Sequence, residues 1–369
     1  MADRDPALAE ETRARPLAPV RPLVHPTAGP DPARLGIVLV NFRQVDATIE
    51  CLESLLRLPG GFKVVVVENG SADGSVERLR SWASGAEPPA AVEGPLAHLS
   101  APPVPKPLVM AEPTPGEPAS GTAPRLTLID AGANLGFAGG NNLGTRFLLG
   151  DRAVDRIWYL NNDTVVAPGA IDALLRTFET DRRMGIAGTV VRYYEEPGTT
   201  QALNGMTFKR LTGNADSIHG EQPASAPFDP KKVVDQTSFV LGASLAVTRE
   251  YLETVGPMAE DYFLYYEEMD WTARNRGRFR TGFARGAIVY HKHGGSIGSS
   301  SVKGGRSALS EHYMLKSRLR YYLKHDRLIF PLIWLLGWAQ TGMRIVRLQP
   351  GKAAAMLRAL FFLPYGRQA

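Results

Sequence analysis

A single cysteine, Cys51, excludes an intrachain disulfide and fits a reducing compartment. It falls on the apolar side of a predicted helix, where it reads as a small buried hydrophobe. Residues 1–34, studded with proline and scattered charge, offer no apolar core for a secretory signal and read as a disordered lead-in. Long hydrophobic runs are missing too. The longest apolar stretch near the end, 328–339, is broken by Pro331 and Gly337 and falls short of the roughly 20 residues that span a bilayer, which points to a membrane-surface or re-entrant segment. No internal repeat is present, and no glycine-rich turn follows the first predicted strand, where Asn41-Phe42-Arg43 stands, so a dinucleotide fingerprint is excluded.

What is there suffices for a large core: 369 residues, 44% hydrophobic and 21% charged, enough for one large domain with appendages or two smaller ones. Formal charge is +5, unevenly placed. From Lys303 onward twelve Lys and Arg face only Glu311 and Asp326, leaving a slightly acidic body. That balance argues against nucleic-acid binding and for a local anionic partner of the basic end.

Apolar runs alternate with helical patterns. Residues 35–40 read as a strand, then Ile49, Leu52, Leu55 and Leu56 form one helical face stopped by Pro59-Gly60-Gly61. Residues 63–68 are apolar enough to be covered on both faces, and the turn Asn69-Gly70-Ser71-Ala72-Asp73-Gly74 leads to a helix through Val76, Leu79 and Trp82. The segment 84–124, with eleven prolines, reads as a surface insertion. Strands at 125–130 and 157–160 follow, then a helix with Ile171, Leu174, Leu175 and Phe178 on one face. Further strands are predicted at 186–191, 238–247 and 287–290, with a long polar stretch up to Asp235. The alternation is that of an α/β fold with a mostly parallel sheet.

Three strings carry the chemistry: Trp158-Tyr159-Leu160-Asn161-Asn162-Asp163-Thr164, Tyr265-Tyr266-Glu267-Glu268-Met269-Asp270 and Tyr290-His291-Lys292-His293. Asp163 stands where a strand emits its side chain at the sheet's carboxyl edge, suited to a hard divalent cation, although Asn-Asp-Thr is also a common turn. Glu267, Glu268 and Asp270 crowd three carboxylates at a helix start, which raises at least one pKa if they are buried and otherwise complements the helix dipole. His291 ends an apolar strand and is a candidate metal ligand, with His293 two residues on pointing the same way. The glycines of 294–298 fit a loop that closes over a ligand. Gly136 to Asn142 offers backbone amides and a helix start for phosphate or base contacts.

Taken in order, these strings resemble the inverting glycosyltransferases of family 2, and within them the bacterial rhamnosyltransferase-like group. The resemblance runs from about Leu35 to about Ser301. It rests on Val40-Asn41-Phe42, the run from Val67 to Ser75, the run from Asn134 to Asn142, Leu160 to Thr164, Phe263 to Asp270, and Tyr290-His291. It implies a GT-A fold, with a Rossmann-like sheet flanked by helices, and a nucleotide-diphosphate sugar at the sheet's carboxyl edge. Asn41, Glu68, Asn69, Asp73, Asn134, Gly136, Phe137, Gly140, Asn141 and Asn162 would surround the donor. Asp163 and His291 would hold Mn²⁺ or Mg²⁺, and Glu268 would be the base, with Glu267 and Asp270 beside it. Glu68 and Glu268 each stand where the family has aspartate, and the usual Asp-x-Asp is reduced to Asn161-Asn162-Asp163. The implied donor is dTDP-rhamnose, with uridine-diphosphate sugars next.

The expected organisation is a tail over 1–34, a GT-A domain over 35–302 and a helical extension over 303–369. In that extension Arg318, Arg320, Lys324 and Arg327 precede an apolar segment with Trp334 and Trp338. The pattern suits an anionic membrane surface at the cytoplasmic face and a glycan or polyprenyl-diphosphate-linked acceptor, or else a helix packed on the core. A sugar-nucleotide nucleotidyltransferase would need a glycine-rich basic loop after the first strand, which Asn41-Phe42-Arg43 does not supply. An inactive sugar-nucleotide-binding scaffold is the non-enzymatic alternative, and the joint presence of Asp163, Glu268 and His291 counts against it.

Overall fold

The computed structural model describes residues 31–292 and 306–366; the lead-in over 1–30, His293 and the glycine loop 294–298 lie outside the described residues. The first half alternates as its apolar runs dictate: β1 (Leu35–Asn41), α1 (Val45–Leu56), β2 (Lys63–Glu68), α2 (Ser75–Ser84), β3 (Met110–Ala111), β4 (Leu126–Asp130), α3 (Gly136–Leu149), β5 (Arg156–Asn161), β6 (Thr164–Val166) and α4 (Ala170–Glu179). Then come β7 (Met184–Tyr193), β8 (Thr200–Leu203), β9 (Gly205–Lys209), β10 (Asn214–Ser217), α5 (Pro230–Gln236), β11 (Phe239–Val240), β12 (Ser244–Thr248), α6 (Arg249–Val255), α7 (Glu267–Asn275) and β13 (Arg280–His291). Three helices close the chain: α8 (Ala308–His325), α9 (Phe330–Val346) and α10 (Pro350–Leu360).

One large sheet runs β3-β4-β2-β1-β5-β12-β7-β13-β6, with β8 added on β7. β3, β4, β2, β1 and β5 are all parallel, β12 is antiparallel to both its neighbours, and β13 runs parallel to β7. The chain steps outward from β1 through β2 to β4 and returns to β5 on the other side of β1. The strand order therefore reverses between β1 and β5, and at such a point the carboxyl ends of the strands open a crevice. β2 is buried along its whole length, as a strand covered on both faces must be. In α4 the predicted face of Ile171, Leu174, Leu175 and Phe178 is buried, each side chain contributing about 1.5–3 kcal/mol.

Several elements depart from the sequence reading. The polar stretch up to Asp235 holds β8, the antiparallel pair β9 and β10, and α5. The strand expected at 238–247 is two short strands in different sheets, since β11 pairs with β9 while β12 enters the main sheet. The strand expected at 287–290 is the end of a twelve-residue β13 whose register slips between Ala284 and Ile288. Segment 84–124 adds β3 to the sheet edge and sends Lys106 to the buried Glu53 carboxylate at 2.7 Å. Cys51 is fully buried, and burial pushes its thiol up to about 12.

The C-terminal helices form a second, smaller core around Leu315, Leu319, Tyr322, Ile333, Met356 and Leu360. The apolar segment 328–339 becomes most of α9, with Pro331 in the first turn, where its missing N–H costs nothing. Ile333, Gly337 and Thr341 form its buried stripe. A Cβ at Gly337 would stand 2.9 Å from Leu360 Cδ2 and 3.0 Å from Leu315 Cδ1, so a larger residue there would require these leucine ends to shift. The opposite face, including Leu332, Leu335 and Trp338, is exposed.

Candidate active site

The crevice at the carboxyl edge opens into a cavity of about 860 Å³, walled on one side by the sheet and α3 and on the other by α7, α8 and α9. Of the residues expected around a donor, Asn69, Asn134, Gly136, Phe137 and Asn162 line it. Asn69 accepts from the Leu135 amide at 3.1 Å and donates to Asn134 Oδ1 at 3.2 Å, so the end of β2 fixes the start of α3. Asn162 donates to Thr48 Oγ1 at 2.9 Å, and Thr48 in turn donates to Asn41 Oδ1 at 2.8 Å.

Asn41, Glu68, Asp73, Gly140 and Asn141 do not line the cavity. Asn41 and Glu68 are buried beneath it. Glu68 accepts the Gly70 and Ser71 amides at 3.0 Å each and so shapes the turn after β2. Asp73, in the turn before α2, accepts from the Ser75 amide at the helix start at 3.1 Å. Asn141 donates to Phe137 O within α3, and Gly140 lies against Val40 of β1.

Asp163 and His291 meet at the centre, Oδ1 to Nε2, at 3.2 Å. Strand geometry brings them together, because β13 pairs with β6 directly after Asp163 and the Lys292 amide donates to Asp163 O at 2.9 Å. His291 Nδ1 lies 2.9 Å from Gln201 Oε1, and Asn161 Nδ2 lies 3.1 Å from Nε2. With Nδ1 donating to Gln201, Nε2 is the ring's acceptor; it takes the Asn161 amide here and faces Asp163 Oδ1, a buried oxygen without a hydrogen bond, so a cation at this place would displace the Asn161 contact. Two facing Lewis bases, one oriented by a glutamine behind it, fit a divalent cation. No group of three or more His, Cys, Asp and Glu among the described residues would hold a metal alone, so other ligands would have to be diphosphate oxygens and water.

Across the cavity, Tyr265 and Tyr266 both adopt left-handed backbone, φ 67° and 74°, immediately before α7. Such a pair costs energy and persists only when held. The Tyr265 hydroxyl lies 2.7 Å from Ser310 Oγ on α8, and Tyr266 donates to Gly213 O at 2.7 Å. This kink presents Glu267 and Glu268 to the cavity. Glu268 lies so close to Gly242 that a Cβ there would fall 1.8 Å from Oε1. Burial raises the Glu268 pKa against the opposing pull of backbone amides, its own and that of Gly242. Burial, then the charge of Glu268, drives Glu267 well above the ordinary carboxylate range, and its Oε1 has no hydrogen-bond partner.

Asp270 faces away from the cavity. It accepts from Arg274 at 2.7 Å and meets His325 Nε2 of α8 at 2.8 Å. Burial alone would raise its pKa, but those hydrogen bonds outweigh it and hold the group at about 2. It fastens α7 to α8. Gln201 and Gly242 escaped the sequence reading because neither stands in a recognisable string, and their partners come from distant strands and helices.

Residues 116–252 match the family model for glycosyl transferase family 2. The low-salt glycan biosynthesis hexosyltransferase Agl10 of Haloferax volcanii is 24% identical over 242 residues, 66% of this chain and 61% of that protein, so less than two thirds of that relative's length is matched. Over these residues the chain is similar to glycosyl transferase family 2. GalNAc-T7, solved with UDP, GalNAc and Mn²⁺, superposes with a TM-score of 0.51 at 11% identity over 87% of this chain and 54% of that one, which shows a shared fold. The mannosyltransferase PcManGT from Pyrobaculum calidifontis, in complex with GDP-Man and Mn²⁺, gives 0.46 at 15% identity over 90% and 77%. The matched family segment contains Asn134, Asp163, Gln201 and Gly242, whereas Glu268, His291 and all three C-terminal helices lie outside it.

Proposed function

We propose that the chain transfers a sugar from a nucleotide-diphosphate donor to a hydroxyl of a cell-envelope glycan or lipid-linked saccharide, with inversion at the anomeric carbon. The observation that carries this reading is a raised-pKa carboxylate, Glu268, sharing one cavity with the Asp163 and His291 pair. Asn69, Asn134 and Asn162 bind and orient the nucleotide. Glu268 takes the proton from the acceptor hydroxyl as that oxygen attacks the anomeric carbon from the face opposite the diphosphate, so no covalent sugar intermediate is needed. A raised pKa suits a base that gains a proton in the transition state. Asp163 and His291 would hold Mn²⁺ or Mg²⁺, which when bound neutralises charge on the departing diphosphate. Gln201 keeps the His291 ring turned towards Asp163.

The donor we favour is dTDP-rhamnose, because the ordered strings resemble the rhamnosyltransferase-like group. No helix among the described residues is long and apolar enough to cross a membrane. The exposed apolar face of α9, beside the exposed Arg327 and Arg347, supports a peripheral position on an anionic bilayer at the cytoplasmic face.

Thermal unfolding against dTDP, UDP and GDP, each with and without Mn²⁺ or Mg²⁺, tests the reading, since a ligand of the folded state raises stability by mass action. A metal-dependent rise with one nucleotide is expected and names the donor class. Unchanged melting with all three would favour a scaffold role.

A further inference from the structure

The helical side of the cavity holds basic charge that the donor reading does not use. Arg318 of α8 is 4% exposed. It donates to Gln340 at 2.6 Å and reaches Thr212 O at 3.4 Å, yet its Nε has no partner and no carboxylate pairs with it among the described residues. Arg344, on the same wall, is neutralised by Glu311. Arg306 and Arg347 have no acidic partner among the described residues, and both line the cavity. A buried guanidinium without a paired carboxylate is costly, and burial lowers the Arg318 pKa, with the nearby Arg306 charge adding to it and Glu311 opposing it. An anion entering between Arg306 and Arg318 would relieve both penalties, and the guanidinium fork matches phosphate oxygens.

The same wall is apolar between its charges. Met314, Met343 and Met356 line it, and unbranched thioether side chains adapt to a flexible hydrocarbon. Met343 is 50% exposed, so it stands at the cavity mouth, whereas Arg318 lies inside. Just past that mouth α9 exposes Ile345 and Val346. Basic charge within and apolar surface at the exit describe a ligand with a charged head and a hydrocarbon that leaves towards α9.

We infer that the wall built by α8, α9 and α10, with Arg306 just ahead of α8, is an acceptor subsite for a phosphate-bearing prenyl or acyl amphiphile, its phosphate between Arg306 and Arg318 and its hydrocarbon along Met314, Met343 and Met356. The assignment rests on the transferase reading for the word acceptor alone; the binding it predicts is independent of turnover. None of this wall lies within the matched family segment.

Calorimetric titration of the full chain tests it, with farnesyl phosphate, farnesol and inorganic phosphate as probes in the presence of saturating nucleoside diphosphate, which blocks the donor's own phosphate positions. Farnesyl phosphate should bind roughly tenfold or more tightly than either fragment. Arg318→Met, and separately Arg306→Gln, should each weaken it several-fold while the nucleotide-induced rise in melting temperature persists. Arg306→Gln changes an exposed side chain, so it keeps the test decisive if Arg318→Met misfolds. Equal affinity for farnesol and farnesyl phosphate, or undiminished binding by the folded variants, would overturn the subsite. Farnesyl phosphate binding without any nucleotide response would sink the donor reading and leave the subsite standing.

Discussion

The sheet side and the helical side of the cavity achieve order by different means. On the sheet side, Asn69, Asn162, Asp163 and His291 are strand-end side chains, each held by neighbours on adjacent strands, turns or the first turn of α1. On the helical side, Glu267 and Glu268 are aimed by two consecutive left-handed tyrosines that depend on α8 and the Gly213 loop to hold them. A parallel sheet creates its crevice through topology alone, whereas the base-bearing kink exists only because distant helices clamp it. The first wall should therefore tolerate loss of the C-terminal helices better than the second.

The sharpest way to break this contrast is Glu268→Gln. It should lower kcat by about 10²–10⁴-fold while the nucleotide-dependent rise in melting temperature survives, because only the helical wall's proton acceptor is lost. Turnover close to wild type would place the base elsewhere. Next in size is Asp270→Asn, which loosens the clamp itself. The Asp270 pKa is depressed on folding, from an ordinary 3.8 to about 2, so its contribution is present above 3.8 and is lost as pH falls through about 2. Urea unfolding should show the variant about 2 kcal/mol less stable at pH 7, with the gap narrowing as acid approaches pH 2. A gap that persists there would mean the loss is steric.

The same contrast explains what could be read from the sequence. β1, β2 and β5 are continuous apolar runs, so their ends, and with them Asn69 and Asp163, were legible in advance. β9, β10 and α5 lie in a polar stretch because they are largely half-buried or exposed, and their hydrophobic pattern is correspondingly weak. β8 is buried, but its four residues Thr200-Gln201-Ala202-Leu203 are too few and too polar to read as a strand, so nothing in the sequence marks Gln201, the residue that orients His291. Asp270 was grouped with Glu267 and Glu268 because spacing alone cannot show which face a helix turns to the cavity. In the tail, the pattern of Arg318, Arg320, Lys324 and Arg327 suits a membrane surface or a helix packed on the core alike; the structure buries Arg318 in the cavity wall and pairs Lys324 with Asp261 at 2.8 Å.

On the sheet side, Gln201→Ala should weaken Mn²⁺ binding about 10–100-fold by releasing the His291 ring, without altering the melting temperature of the metal-free protein by more than a few degrees. Metal titration followed by calorimetry checks this, and unchanged affinity would detach Gln201 from the site. The smallest effect is expected at Glu267. Its pKa is raised on folding, so the stability tied to its proton is full below the unfolded value and declines as pH rises. Glu267→Gln, already neutral, should melt about 2–4 °C above wild type at pH 8 and level with it at pH 4. A variant that is less stable at both values would show that Glu267 is held by contacts its charge does not explain.

The central claim is that the end of β5 and the end of β13 form one cation site at the donor's diphosphate. Anomalous diffraction from crystals grown with Mn²⁺ and the nucleoside diphosphate that most raises the melting temperature tests it directly. The account predicts one manganese peak between Asp163 Oδ1 and His291 Nε2, with diphosphate density beside it. Diphosphate density with manganese bound away from both residues, or with no manganese peak at all, would contradict it.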